Sequence, residues 1–99
     1  MICPLTQEAW TRQLGHNSTV PLYHYRYFGE FPNVNPFPWL GAYHASELPL
    51  VFGTYGLTEP EGSQFPYEVP TENEAAVSAY MQGAWVAFAK DPVNGLMGY

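Results

Sequence analysis

His44 and Glu47 stand three residues apart between Gly41 and Gly53, and of all the side chains in this sequence they come nearest to a reactive pair. An imidazole titrates at about pH 6.5 when unperturbed, so a loop histidine can take and return a proton near neutrality. Glu47 is a candidate acid partner or metal ligand, but a single His-x-x-Glu without further ligands falls short of any metal-site pattern. His16 and His24 are too dispersed in pattern to complete one, and structural roles are expected for both. Four serines, Ser18, Ser46, Ser63 and Ser78, are available as nucleophiles in principle. None lies in a Gly-x-Ser-x-Gly elbow, and no Gly-Gly pair offers backbone donors for an oxyanion. Cys3 is single, so no disulfide closes within the chain. Asn17-Ser18-Thr19 fits the acceptor pattern for N-glycosylation, which makes Asn17 a candidate modification site in a secreted protein.

The elements that must hold these residues are few. Pro4 suits a first helical turn, Leu5, Ala9, Trp10 and Leu14 share one face, and Gly15 is a stop signal, so a short helix is predicted from about Pro4 to Leu14. Leu22 to Phe28 alternates Leu22, His24, Arg26 and Phe28 with Tyr23, Tyr25 and Tyr27, the period of a strand. Prolines and asparagines from Gly29 to Gly41 exclude regular structure there, and Thr54 to Pro70 is loop for the same reason. Glu47 to Phe52 allows one helical turn with Pro49 near its start. Thr71 and Glu74 form a capping box, after which Ala76, Val77, Tyr80, Met81, Ala84, Trp85 and Phe88 recur at helical spacing until Asp91-Pro92. This spacing predicts a helix over Glu72 to Lys90, with Tyr80, Trp85 and Phe88 as packing residues.

Ninety-nine residues bound the chain to one small domain, and 46% hydrophobic content with 17% aromatic favours a packed core over disorder. Three basic against nine acidic residues give a net charge of −6, with no basic patch for phosphate, so nucleic acid is excluded as a partner. No segment approaches the ~20 apolar residues of a membrane span. One strand cannot pair with itself, and even a two-stranded hairpin is marginal in water. With the apolar helix face, it points to a piece of a larger α/β domain, whose isolated chain self-associates.

Gly41-Ala42-Tyr43-His44-Ala45-Ser46-Glu47-Leu48-Pro49-Leu50-Val51-Phe52-Gly53 resembles the loop that carries the catalytic histidine of type-B carboxylesterases, the group of esterases, lipases and cholinesterases. Tyr25-Arg26-Tyr27-Phe28-Gly29 resembles that family's last core strand, and Met81 to Lys90 its late helix. The Phe31-Pro32-Asn33-Val34-Asn35-Pro36 insertion is most similar to fungal members. The resemblance implies residues 1–99 as a partial α/β-hydrolase domain, its C-terminal part, incomplete at both ends: short helix, one core strand, histidine loop, long amphipathic helix.

It further implies ester hydrolysis through an acyl-enzyme, with no cofactor and with His44 as the triad base. The triad acid comes from an earlier loop in such enzymes, which leaves Glu47 as a helix-start residue or a buried acceptor behind the histidine. Ser46 takes a small position beside it, and Trp39 is the aromatic expected to line the acyl or alcohol pocket, ahead of Phe37. The Cys-Pro pair opens a helix in the family, its cysteine disulfide-linked only where a partner lies upstream. Family members are often secreted. Because the serine, the oxyanion donors and the acid are all missing from the sequence, a second expectation stands beside the first: a catalytically inactive truncated remnant that persists as a binding or interaction module.

Overall fold

The computed structural model describes residues 2–15, 21–35, 37–56 and 69–99. His16, Asn17, Ser18 and Ser63, with most of the loop expected after Thr54, lie outside them. Three α-helices follow in order, α1 (Ile2–Gly15), α2 (Leu48–Val51) and α3 (Glu72–Lys90), with a 3₁₀ turn at Pro38–Leu40.

Helix α3 has the span its sequence predicts. The Thr71 hydroxyl accepts the Glu74 backbone N–H at 3.2 Å, the expected N-cap. Glu72 and Glu74 sit in the first turn and Lys90 in the last, each on the favourable side of the helix dipole. At the far end the Asp91 carboxylate accepts the N–H groups of Val93 and Asn94 at 3.1 and 3.0 Å, which hold its pKa below the ordinary value. Gly83 leaves room for the Tyr99 ring, which folds back on α3 and meets Tyr80 edge to face.

Helix α2 follows His44 so closely that its anchorage is also that of the histidine loop. It packs on α3. The contact is made by a polar stripe of α3 rather than by its apolar face: Glu74 and Ser78, four residues apart on one side, are buried with Leu50 of α2. The Ser78 hydroxyl donates to the Leu50 carbonyl at 2.6 Å, and Gln82, one turn on, donates to Ser78 Oγ at 2.9 Å. Leu50 is the one buried hydrophobic side chain among the described residues.

Two sequence-based expectations need correcting. The core strand predicted over Leu22 to Phe28 is not formed: residues 21–30 carry no regular structure, and the described residues contain no strand. The physical cause is the one raised by the sequence itself, that a strand requires a neighbour to bond its N–H and C=O groups, and none is at hand. The segment keeps its alternation all the same. Tyr23 meets Phe88 and Tyr25 meets Trp85, both edge to face, so alternate side chains descend one turn of α3 as the segment runs antiparallel to it. The second correction is the 3₁₀ turn at Pro38–Leu40, inside a loop expected to be irregular throughout; Pro38 supplies the fixed φ that starts it.

Helix α1 runs a few residues beyond its predicted ends and packs on neither α2 nor α3. Leu5, Trp10 and Leu14 on its apolar side are all exposed.

Candidate active site

His44 lies in a turn, with its side chain exposed, on the rim of an open recess of about 680 Å³. His24, Arg26, Glu30, Tyr43 and Glu47 are among the other residues lining it. The backbone after His44 turns sharply because Ala45 adopts φ +66°, the left-handed region that residues with a side chain seldom enter. The Ser46 N–H donates to Tyr43 O at 3.1 Å and the Leu48 N–H to Ala45 O at 3.2 Å, so the turn passes directly into α2. Before it, Gly41 has φ 57° and ψ −146°, a combination open in practice to glycine alone.

Side-chain amides and a phenol brace the loop from within. Asn33 Nδ2 donates to Tyr55 O at 3.0 Å, joining positions 22 residues apart, with His44 midway between them. Inside that span Asn35 Nδ2 donates to Gly41 O at 3.2 Å, and the Tyr43 hydroxyl to Val34 O at 2.5 Å. All three acceptors are backbone carbonyls, so side chains engage the C=O groups of Val34, Gly41 and Tyr55.

The expected site residues fall in different places. Glu47 is the N-cap of α2, half-buried, with no side-chain capping bond. Its charge bears on Tyr25 and Tyr27, whose pKa values are raised by burial first and by that carboxylate second or later. Ser46 is 3% exposed and its Oγ has no hydrogen-bond partner, so it offers no accessible nucleophile. Trp39 is 77% exposed and stacks on Phe37 at 5.5 Å between ring centroids; it does not line the recess that His44 shares. No group of three or more metal-ligating side chains occurs among the described residues. Nor is any described helix long and apolar enough to cross a membrane.

Beneath the loop is a feature that the sequence reading missed. Glu74 is fully buried, and neither of its carboxylate oxygens has a hydrogen-bond partner. Burial pushes its pKa up, against the pull of the Asn33 amide and the Thr71 backbone N–H. Tyr27 Oη and Asn33 Oδ1 are buried and unpaired as well. The available signal was the Glu74, Ser78, Gln82 stripe at four-residue spacing, which the more conspicuous apolar periodicity of the same helix obscured.

The model of the carboxylesterase family matches residues 1–94, almost the whole chain. The chain belongs to the carboxylesterase family. Membership implies the α/β-hydrolase fold, while the described residues are helical and contain no strand. This carboxylesterase sequence is 40% identical over 94 residues to a chlorogenic acid esterase of Aspergillus niger, an alignment covering 94% of the chain and 16% of that enzyme. It is 50% identical over 74 residues to secreted lipase 5 of Gibberella zeae, covering 75% of the chain and 12% of the lipase. It is also 33% identical over 97 residues to the inactive carboxylesterase-like protein VdtD of Byssochlamys spectabilis, covering 90% of the chain and 15% of that relative. The chain thus spans about one sixth or less of the length of the relatives it matches. No solved structure matches it.

Proposed function

We propose that this chain is the C-terminal segment of a serine carboxylesterase or lipase and supplies the general base, His44. The observation that carries this is the family match over residues 1–94, within which His44 lies on an exposed turn facing an open recess. The substrate is a carboxylic ester. The imidazole takes the proton of a serine hydroxyl as that oxygen attacks the ester carbonyl, and the alkoxide of the alcohol leaves with the proton returned by His44. A water molecule, deprotonated by the same imidazole, then cleaves the acyl-enzyme to release the acid. The serine, the oxyanion donors and the acid that orients the imidazole come from parts of the domain outside this sequence. Glu47, at the start of α2, bears on Tyr25 and Tyr27, and Ser46 is buried beside the turn. Trp39 belongs to the alcohol or acyl pocket only if other segments close over it. Asn17 is a glycosylation site if the protein is secreted.

A second function, an inactive remnant serving as a binding module, has one observation in its favour: a relative at 33% identity is named inactive. The two are separated by exchanging residues 1–94 for the matching stretch of the Aspergillus niger chlorogenic acid esterase. The chimera is expected to hydrolyse its ester, and His44→Ala in it to lower kcat by on the order of 10³-fold or more with binding contacts retained. Parental turnover in a properly folded His44→Ala chimera would rule out His44 as the base.

A further inference from the structure

We propose that Ser78, oriented by Gln82, is a positioning residue for His44: its hydroxyl fixes α2 against α3 and thereby sets where the turn before α2 presents the imidazole. The inference rests on the assignment of His44 as general base.

Helix α2 has little means of holding its own place. It is a single turn of four residues, and its N-cap, Glu47, makes no side-chain capping bond. Leu50 is fully buried where α2 packs on α3, but apolar contact is non-directional and tolerates sliding and rotation. A hydrogen bond does not. The Ser78 hydroxyl, on a residue 1% exposed, donates to the Leu50 carbonyl at 2.6 Å, and among the described residues this is the one side-chain hydrogen bond between the two helices. A serine inside a helix can return its hydroxyl to the carbonyl four residues back; here the proton goes to the neighbouring helix. Gln82 Nε2 donates to Ser78 Oγ at 2.9 Å, which occupies a lone pair of that oxygen and leaves the hydroxyl proton to point at Leu50 O. The same amide lies against Gly53, where a Cβ would come within 3.1 Å of Nε2, so the end of α2 rests on Gln82 as well.

Between Leu50 and His44 the chain has little slack. The Leu50 and Val51 N–H groups both donate to Glu47 O at 3.0 Å, the Leu48 N–H to Ala45 O at 3.2 Å and the Ser46 N–H to Tyr43 O at 3.1 Å. Each of these bonds overlaps the next along the chain, and Ala45 at φ +66° fixes the sense of the turn between them. The histidine turn and α2 therefore move as one body, whose directional seat on α3 is the Ser78 bond. Removing the hydroxyl would let that body shift while its internal bonds persist, moving His44 relative to a serine held elsewhere in the domain. A displacement of about 1 Å at a reacting group can cost on the order of 100-fold in rate.

The test uses the Aspergillus niger chimera, with kcat, KM and amide hydrogen exchange over residues 48–53 as readouts. Ser78→Ala should speed exchange there and lower kcat about 10- to 100-fold at nearly constant KM. Gln82→Met keeps the length of the side chain but removes the amide, and should lower kcat by a smaller factor. The double variant should be no worse than Ser78→Ala, because Gln82 acts through the hydroxyl. Thr71→Ala is the control for a general loss of stability: it removes the α3 cap but leaves Leu50 O bonded, and should keep the parental kcat. Parental kcat or unchanged exchange in folded Ser78→Ala, or an equal fall in kcat in Thr71→Ala, would overturn the positioning role. Gln82 is exposed, so Gln82→Met decides the matter if Ser78→Ala does not fold, parental kcat again counting against it. His44→Ala separates this inference from the reading beneath it. Lost turnover there, beside parental kcat in Ser78→Ala, would overturn the positioning role and keep the base; turnover retained in His44→Ala would overturn both.

Discussion

At the residue scale, the turn after His44 depends on Ala45 in a conformation that costs an L-residue about 1–2 kcal/mol. Glycine removes that cost but loses about 0.5–1 kcal/mol of unfolded-state entropy, so Ala45→Gly should change stability by no more than about 1.5 kcal/mol. Ala45→Val adds branching where φ is positive and should lower kcat in the chimera as well as stability, since the turn itself must re-form. Activity and denaturant midpoints of the two variants check this; equal behaviour would mean that the left-handed turn has no bearing on the histidine. Glu74 gives a pH dependence of known sign. Its pKa is raised in the folded form, so the folded state holds the proton more tightly than the unfolded state. Its burial is therefore harmless below the ordinary glutamate value of 4.5 and grows costly as pH rises from there to the raised value, then levels off. Tyr27, the titratable group facing it, stays neutral throughout this window. Unfolding free energy of Glu74→Gln minus that of the parent should consequently increase with pH above 4.5, which denaturation at a series of pH values measures.

At the element scale, α3 is the scaffold on which the loop, α2, the tyrosine segment and the C-terminal turn are all hung. Its N-cap is the most local of its supports, and Thr71→Ala should cost about 1 kcal/mol by removing one acceptor for an orphan N–H. Circular dichroism at 222 nm on the chain should show the loss as reduced helicity and a lower melting midpoint. Ser78→Ala acts differently: it frees the Leu50 carbonyl of a 2.6 Å bond inside a buried contact, and should loosen α2 while leaving α3 intact. Exchange confined to residues 48–53 is the expected signature.

At the scale of the whole molecule, the radius of gyration is 16.5 Å, against about 13 Å for a folded domain of this length. Among the described residues eighteen large hydrophobic side chains are exposed, Trp10, Phe28, Phe52 and Trp85 among them, and these residues bury little of their apolar surface. Such a surface should drive self-association, with the tyrosine segment and the face of α1 as the contacts. Sedimentation at several concentrations tests it, and a concentration-independent monomer would exclude it. The same chain, lacking an elbow serine and oxyanion donors, should hydrolyse a p-nitrophenyl ester no faster than imidazole at equal concentration. Stoichiometric labelling of any serine by a fluorophosphonate would contradict that account.

The helices and the histidine loop could be read from the sequence because their causes are local. Capping by Thr71, the apolar recurrence to Phe88 and the stop at Asp91-Pro92 determine α3 wherever it is placed, and Pro49 near a first turn does the same for α2. Family membership was likewise legible, since the residues around His44 carry it in order. The strand was not decided by its alternation, because ladder bonds belong to pairs of segments and the partner is missing. The buried face of α3 was decided only by packing: a periodic apolar stripe says which side could be covered, whereas Glu74 and Ser78 are buried on the side of α3 where α2 comes to rest. Asn33, eleven places from His44 in the sequence, gained its role only once the Tyr55 carbonyl had been brought to its side chain.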